Sequence, residues 1–237
     1  MIPNQTIHYV VPNYIKKINS DAFGSASNLQ TVTIHENVTE IGLYPFYNCK
    51  NLTKISISDK NQKYKVVNGA LLTKNGSVLI QYISDKLSDS FTVPFGVEII
   101  KTYGISLMAS LKTVIIPKTV KKIESFVFTY NGNLKKIIIS GSGITFSDHI
   151  FNECSNLTSI IYDGFTEPKS CSSDIFIYSS VETIKVPKDY KNSTTSFCGK
   201  SLTISKELEV GTLGEQINYI LENDGTLTVY EIGRAHV

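Results

Sequence analysis

The residues of this chain that could carry chemistry are few, and their spacing does not suit it. Its four cysteines are Cys49, Cys154, Cys171 and Cys198, and none forms the C-x-x-C pair that zinc and redox sites use. The histidines, His8, His35, His149 and His236, include no H-E-x-x-H and no i, i+4 pair, and no acidic cluster has metal-ligand spacing. Gly141-Ser-Gly143 has the look of a phosphate-binding loop, but no Lys-Ser/Thr follows it and it falls where a turn must follow Ile139. There is no G-x-S-x-G elbow, and no Ser/His/Asp or Cys/His set stands out. The sequence therefore predicts no catalytic residues, no metal and no cofactor.

Composition narrows the classes further. Of 237 residues 41% are hydrophobic and 19% charged, enough apolar material for a sizeable core. Lys and Arg number 23 against 21 Asp and Glu, a balance of +2 that does not suit a protein binding nucleic acid by phosphate neutralisation. No run of about 18 apolar residues exists, so no membrane insertion is expected within this segment. Residues Met1 to Val11 lack the apolar stretch of a secretory signal.

What must position the side chains is a repeat. Leu29-Gln-Thr-Val32-Thr-Ile34 recurs as Leu52-Thr-Lys-Ile55-Ser-Ile57, a shift of 23 residues. Further on, Leu111-Lys-Thr-Val114-Ile-Ile116, Leu134-Lys-Lys-Ile137-Ile-Ile139 and Leu157-Thr-Ser-Ile160-Ile-Tyr162 are again 23 residues apart, and Val181-Glu-Thr-Ile184-Lys-Val186 comes 24 residues later. Six positions before the Leu stand Phe23, Phe46, Ile105, Phe128 and Phe151, and eleven before it stand Ile18, Ile41, Ile100, Ile123 and Phe146. Asn or Ser precedes the Leu throughout. One such unit cannot bury its own apolar face, but stacked units place Leu over Leu and Phe over Phe. The prediction is a solenoid whose short strands lie in register as a parallel sheet, inward Leu, Ile and Val alternating with outward residues. The Asn before each strand is placed to bond backbone groups that the bend would leave unpaired. Cys49 and Cys154 share one column with Ala26, Met108 and Asn131, which predicts buried thiols too far apart to pair. Cys171 and Cys198 lie outside that column, and their pairing in an oxidising compartment stays open.

The period breaks twice. Ile116 follows Ile57 at a spacing of 59, two repeats plus 13, and Ala70–Thr73, Lys74-Asn75-Gly76-Ser77 and Val78–Tyr82 read as a hairpin about an Asn-Gly turn. After Pro187 the pattern dissolves into a polar stretch, followed by a second hairpin signature over Asn218–Leu221 and Thr226–Tyr230. Residues 1–187 are thus expected to form the array, with an irregular insert near 58–92, and 188–231 a loop and hairpin segment. Residues 232–237 back-translate as ATC GGA AGA GCA CAC GTC, similar to the start of a common sequencing adapter. Arg234 in that stretch is the only Arg in the chain, so the tail is expected to be foreign and the natural chain to continue beyond Glu231.

The stretches Ala22 to Ile34, "FYNCKNLTKISI" (Phe46 to Ile57), "VIIPKTVKKIESFVF" (Val114 to Phe128) and "IFNECSNLTSIIY" (Ile150 to Tyr162) resemble the BspA-like, Treponema-type class of leucine-rich repeats. The resemblance covers roughly Val11 to Pro187. It implies a right-handed horseshoe solenoid with a parallel β-sheet on its concave face and short helical turns or loops on the other. It also implies that the hairpin insert is a family variant of the repeat.

The outward strand columns are the expected ligand surface. One runs Thr33, Ser56, Ile115, Ile138, Ile161, Lys185, and its neighbour includes Lys54 and Lys136. Three exposed Ile with a rim of Lys and Thr would make an apolar strip suited to binding, although β-branched residues also simply suit strands. On this reading Ile138→Lys weakens ligand binding and leaves the fold intact. The resemblance implies a non-catalytic, cell-surface or secreted adhesin that binds a protein or glycoprotein ligand. The alternative is an intracellular protein-interaction scaffold in the cytoplasm.

Overall fold

The computed structural model describes residues 5–83, 88–191, 196–201, 203–212, 217–222 and 226–231. Each coil contributes one strand of about four residues, placed there by the alternation already visible in the repeat. Thr31–Ile34 pairs parallel with Lys54–Ile57, Thr31 opposite Lys54. Thr113–Ile116, Lys136–Ile139 and Ser159–Tyr162 stack in the same way, with Thr113 opposite Lys136 and Lys136 opposite Ser159. The period in sequence has become the rung spacing of a sheet. Val32, Ile34, Val114, Ile116, Ile137 and Ile139 point inward and are buried, as are the repeat leucines Leu29, Leu52, Leu111, Leu134 and Leu157. Burying each such side chain stabilises by about 1.5–3 kcal/mol, which is how stacked coils succeed where one coil could not.

A second corner of each coil carries the other apolar column. Ile18, Ile100, Ile123 and Phe146 are buried there on two-residue strands such as Ile99–Ile100 and Lys122–Ile123. The Phe column follows, with Phe23 stacked on Phe46, Phe128 on Phe151 and Phe151 on Phe176. Little of this side is helical; among the described residues a single 3₁₀ turn, Ser173–Phe176, appears. The chain instead turns through left-handed residues that are not glycine, among them Leu107, Tyr130 and Glu153. That conformation costs roughly 1–2 kcal/mol per residue, but it aims the backbone N–H along the solenoid. Leu107 donates to the Thr129 carbonyl at 3.1 Å, Tyr130 to Asn152 at 3.2 Å and Glu153 to Tyr178 at 2.9 Å.

The Asn column does what its position predicts. Asn51 Nδ2 donates to the Ser27 carbonyl at 2.6 Å, Asn133 to Ala109 at 2.8 Å, and Asn156 to Gly132. The cysteine column is more than apolar filling. Cys49 Sγ donates to the Phe23 carbonyl at 2.9 Å, Cys154 to Phe128 at 3.1 Å, and Asn131 Nδ2 in the same column to Ile105 at 2.6 Å. Cys and Asn share the column because both are compact donors that reach back one coil.

The insert forms three antiparallel strands, Tyr64–Val67, Ala70–Thr73 and Val78–Tyr82. The second and third are the hairpin read from the sequence. The first was missed, although Asn68-Gly69, both at positive φ, is itself a hairpin turn signal. The insert is a partition with two apolar faces. Leu71, Ile80 and Ile83 join the N-terminal core, while Ala70, Leu72, Leu79 and Tyr82 join the larger core that follows. It also splits the long-strand sheet into two: His8–Val10, Thr31–Ile34 and Lys54–Ile57 form one, and Ser90–Thr92 begins the other.

At the far end the parallel ladder goes one strand past Pro187. Thr203–Thr212 pairs with Thr183–Pro187, with a register shift between Val186 and Pro187, and then turns antiparallel into Ile217–Leu221 and Leu227–Glu231. These last strands are the C-terminal hairpin expected from the sequence. Cys171 and Cys198, whose pairing the sequence left open, are joined in a disulfide with Cα atoms 5.3 Å apart. The tail 232–237 lies outside the described residues.

Candidate functional site: the outer face of the parallel sheet

The eight residues expected at the site fall into two groups, because the insert interrupts the sheet that would have carried them in one row. Thr33 stands opposite Ser56, and Lys54 lies on the same strand as Ser56. Thr33 and Lys54 are exposed and Ser56 is half-buried, so this end of the face is open to solvent. Ile115, Ile138, Ile161 and Lys185 form a second, unbroken row across four strands, and Lys136 lies in the neighbouring row opposite Ser159. The structure does not place the two groups on one continuous sheet.

The second group also differs from the expectation of an exposed apolar strip. Ile138 is 0% and Ile161 4% exposed, and Ile115 is half-buried. The C-terminal hairpin lies over them. Ile220, itself 0% exposed, packs on Ile138 and Ile161, with Ile115 alongside. Two residues on, the Glu222 carboxylate receives Lys185 through one oxygen and lies 3.5 Å from Lys136 Nζ through the other. Lys136 also donates to Thr228 Oγ1 at 3.1 Å. Under this cover Ser159 Oγ, between Lys136 and Thr183 in its row, is buried without a hydrogen-bond partner among the described residues. Ile138→Lys would therefore drive a charge into a closed contact rather than alter an open surface.

Elsewhere the molecule offers a cleft and two buried thiols. The insert leaves a cleft of about 530 Å³ whose lining includes Asn48, Cys49, Leu52, Ile83, Met108 and Tyr130. Burial pushes the Cys49 thiol up to about 11 and the Cys154 thiol up to about 12, so neither is a nucleophile near neutral pH. No group of His, Cys, Asp or Glu that could hold a metal ion occurs among the described residues. No helix among them is long and apolar enough to cross a membrane.

A family model of the BspA-type leucine-rich repeat region matches six copies over residues 4–68 and 82–204. The chain belongs to that family. The gap between the two matched ranges is the heart of the insert hairpin, and the BspA-type match runs on into the strand that begins at Thr203. Two crystal structures share the fold. The pneumococcal vaccine antigen PcpA is 19% identical, with a TM-score of 0.54 over 81% of this chain and 60% of that one. A leucine-rich cell surface protein from Faecalibacterium prausnitzii is 20% identical, with a TM-score of 0.56 over 84% of this chain and 59% of that one. The chain thus spans about 60% of the length of these two structures. No curated protein matches it by sequence.

Proposed function

We propose that this BspA-type chain is a non-catalytic binding module, displayed on a cell surface or secreted, that takes a protein or glycoprotein segment along the outer face of its parallel sheet. The observation that carries the reading is the preformed face itself. Its strands are fixed by rung-to-rung pairing, so the open end, Thr33, Lys54 and Ser56, is presented without a backbone ordering cost on binding, and Ile115, Lys136 and Lys185 stand in the same way beneath the C-terminal hairpin. The Cys171–Cys198 disulfide favours an oxidising compartment over the cytoplasmic scaffold. That one structural relative is described as a cell surface protein and another as a vaccine antigen agrees with this placement.

Selection of peptides from a display library on the immobilised, oxidised chain tests the reading. Lys54→Glu and Thr33→Arg are each expected to weaken the selected binders about tenfold or more, while Lys122→Glu on the short-strand flank leaves them unchanged. Binders that all map away from the sheet face would overturn it. Labelling of thiols in the source cells separates the compartments: Cys171 and Cys198 found reduced would favour the intracellular scaffold.

A further inference from the structure

We propose that the C-terminal hairpin is a ligand bound in cis: the sheet face from Ile115 to Lys185 recognises an extended segment with an aliphatic residue followed two positions later by a carboxylate, and Ile220 and Glu222 occupy that site until such a partner displaces them. The inference rests on the reading of this face as the ligand surface and names the partner it fits.

The chemistry of recognition lies in two features. Three isoleucines from three neighbouring strands make an apolar socket, and one aliphatic side chain, Ile220, fills it. Beside it Lys136 and Lys185, on strands separated by the Ser159–Tyr162 strand, converge on one carboxylate that is only 7% exposed. Two ammonium groups reaching from different strands to one carboxylate make a clamp for an acidic side chain at a fixed distance from the socket. A strand places residues i and i+2 on the same side, so any extended segment with this pair can present both groups together.

The hairpin is built to leave. Its lead strand, Thr203–Thr212, pairs with the solenoid only as far as Leu208, and the register shift at Val186/Pro187 precedes the point where it pairs with its own hairpin instead. The hairpin can therefore lift as a unit with its internal pairing, Ile217–Leu221 to Leu227–Glu231, intact. Ser159 Oγ, in the row between Lys136 and Thr183, is buried without a partner among the described residues, and a bound segment with a matching polar group would supply one. Among the described residues the open Thr33–Ser56 end carries neither an apolar socket nor a cover, so the arrangement belongs to the Thr113–Pro187 strands.

A fluorescent hexapeptide with the sequence of residues 217–222, INYILE, is the probe, and the full-length chain is the receptor. In the variant Ile220→Asp/Glu222→Lys the socket filler is polar and the clamp is repelled. Thermal unfolding that stays cooperative, together with faster hydrogen exchange at Thr228 and its neighbours, shows that this chain is folded and open. The open chain is expected to bind INYILE about tenfold or more tightly than the intact chain does. Lys136→Glu added to the open chain, or Gln for Glu in the peptide, should remove that binding. Equal binding to the intact and open chains, or none to the open chain, overturns the inference. If the open chain ignores INYILE but still takes display-selected peptides that depend on Thr33 and Lys54, the cis-ligand idea fails and the functional reading stands. If neither binds, both fail. Should the double variant not fold, Glu222→Gln, which weakens the clamp without reversing it, is judged by the same outcomes.

Discussion

Two stretches of parallel ladder, Thr31–Ile57 and Thr113–Tyr162, share strand pairing, register and the pattern of inward residues, yet their outer faces have opposite fates. In the first, Thr31-Val32-Thr33-Ile34 and Lys54-Ile55-Ser56-Ile57 alternate, and the outward Thr33 and Lys54 stand in water. In the second, Val114-Ile115-Ile116, Ile137-Ile138-Ile139 and Ile160-Ile161-Tyr162 are continuous apolar runs, and the chain's own hairpin covers their outward residues. The difference teaches that the repeat fixes what points inward, whereas the occupant of the outer face is read from whether alternation persists. Strands covered on both faces lose it.

The inward layer should not distinguish the two stretches. Leu134 and Leu29 are 0% and 1% exposed in equivalent positions. Leu134→Ala and Leu29→Ala are each expected to destabilise by about 2–5 kcal/mol, measured by urea unfolding. A loss at Leu29 below about 1 kcal/mol would show that the insert uncouples the N-terminal coils from the rest. Next in size is the tether at the covered end. Cys171 and Cys198 close a loop of sequence separation 27, so replacing both with Ala should cost about 2–4 kcal/mol. The loss should appear in the unfolding of the covered stretch, with the Thr31–Ile57 stretch exchanging amides at its original rate.

The outer layer is where the comparison can break. Ile138→Ala empties a contact sealed by Ile220 and is expected to cost about 2 kcal/mol, the low end for a core truncation because the hairpin can settle into the space. Thr33→Ala, at the equivalent outward row of the open stretch, should stay within about 0.5 kcal/mol. Equal effects would mean that the hairpin does not seal the strip in solution.

Much of this was legible and some was not, for physical reasons that particular residues show. The Leu and Phe columns, the Asn bonds back to the preceding coil and the Asn75-Gly76 hairpin all arise from one residue type in one local or repeating environment, so spacing alone reveals them. The joint at the insert works differently. In regular coils the Ile105 and Phe128 amides donate to the next coil's backbone at Val127 and Ile150. At the insert that rung is displaced. The Phe46 amide donates instead to Gln81 Oε1 at 3.0 Å, and the Ile41 amide to Tyr64 Oη at 2.8 Å. Such substitutes occur once each and depend on side-chain reach, so no period announces them. The cover over Ile138 escaped for a related reason: Lys136 meets Thr228 across 92 residues with no local pattern linking them. The continuous apolar runs 114–116, 137–139 and 160–162 were the available signal, and they were read as exposed strip rather than as double burial.

The joint supplies the next prediction. Gln81 is 3% exposed, and Gln81→Leu keeps its bulk but leaves the Phe46 amide without an acceptor. The expected cost is about 1–3 kcal/mol. No side-chain substitution can remove the corresponding backbone bond at Phe128. Hydrogen exchange should therefore accelerate at Phe46 in the variant and stay unchanged at Phe128; protection retained at Phe46 would show that another acceptor takes over.

The smallest effect concerns ion pairs that repeat with the coil. Lys17–Glu40 and Lys101–Glu124 are both spaced by 23 residues, one on the open stretch's flank and one on the covered stretch's flank. The first pair is 61% and 63% exposed, so Glu40→Gln should move stability by no more than about 0.5 kcal/mol. Glu124 is enclosed. Burial alone would raise its pKa, but Lys101 at 2.9 Å and the Thr102 N–H at 3.1 Å outweigh it and hold the carboxyl below its ordinary 4.5. A carboxyl with a lowered folded-state pKa stabilises fully above its unfolded value and loses that contribution as pH falls through the folded one. Stability should therefore decline below about pH 4.5 by a component that Glu124→Gln abolishes and Glu40→Gln leaves in place. Urea midpoints followed from neutral to acidic pH in the two variants measure this, and equal acid slopes would show that the enclosed pair is screened like the exposed one.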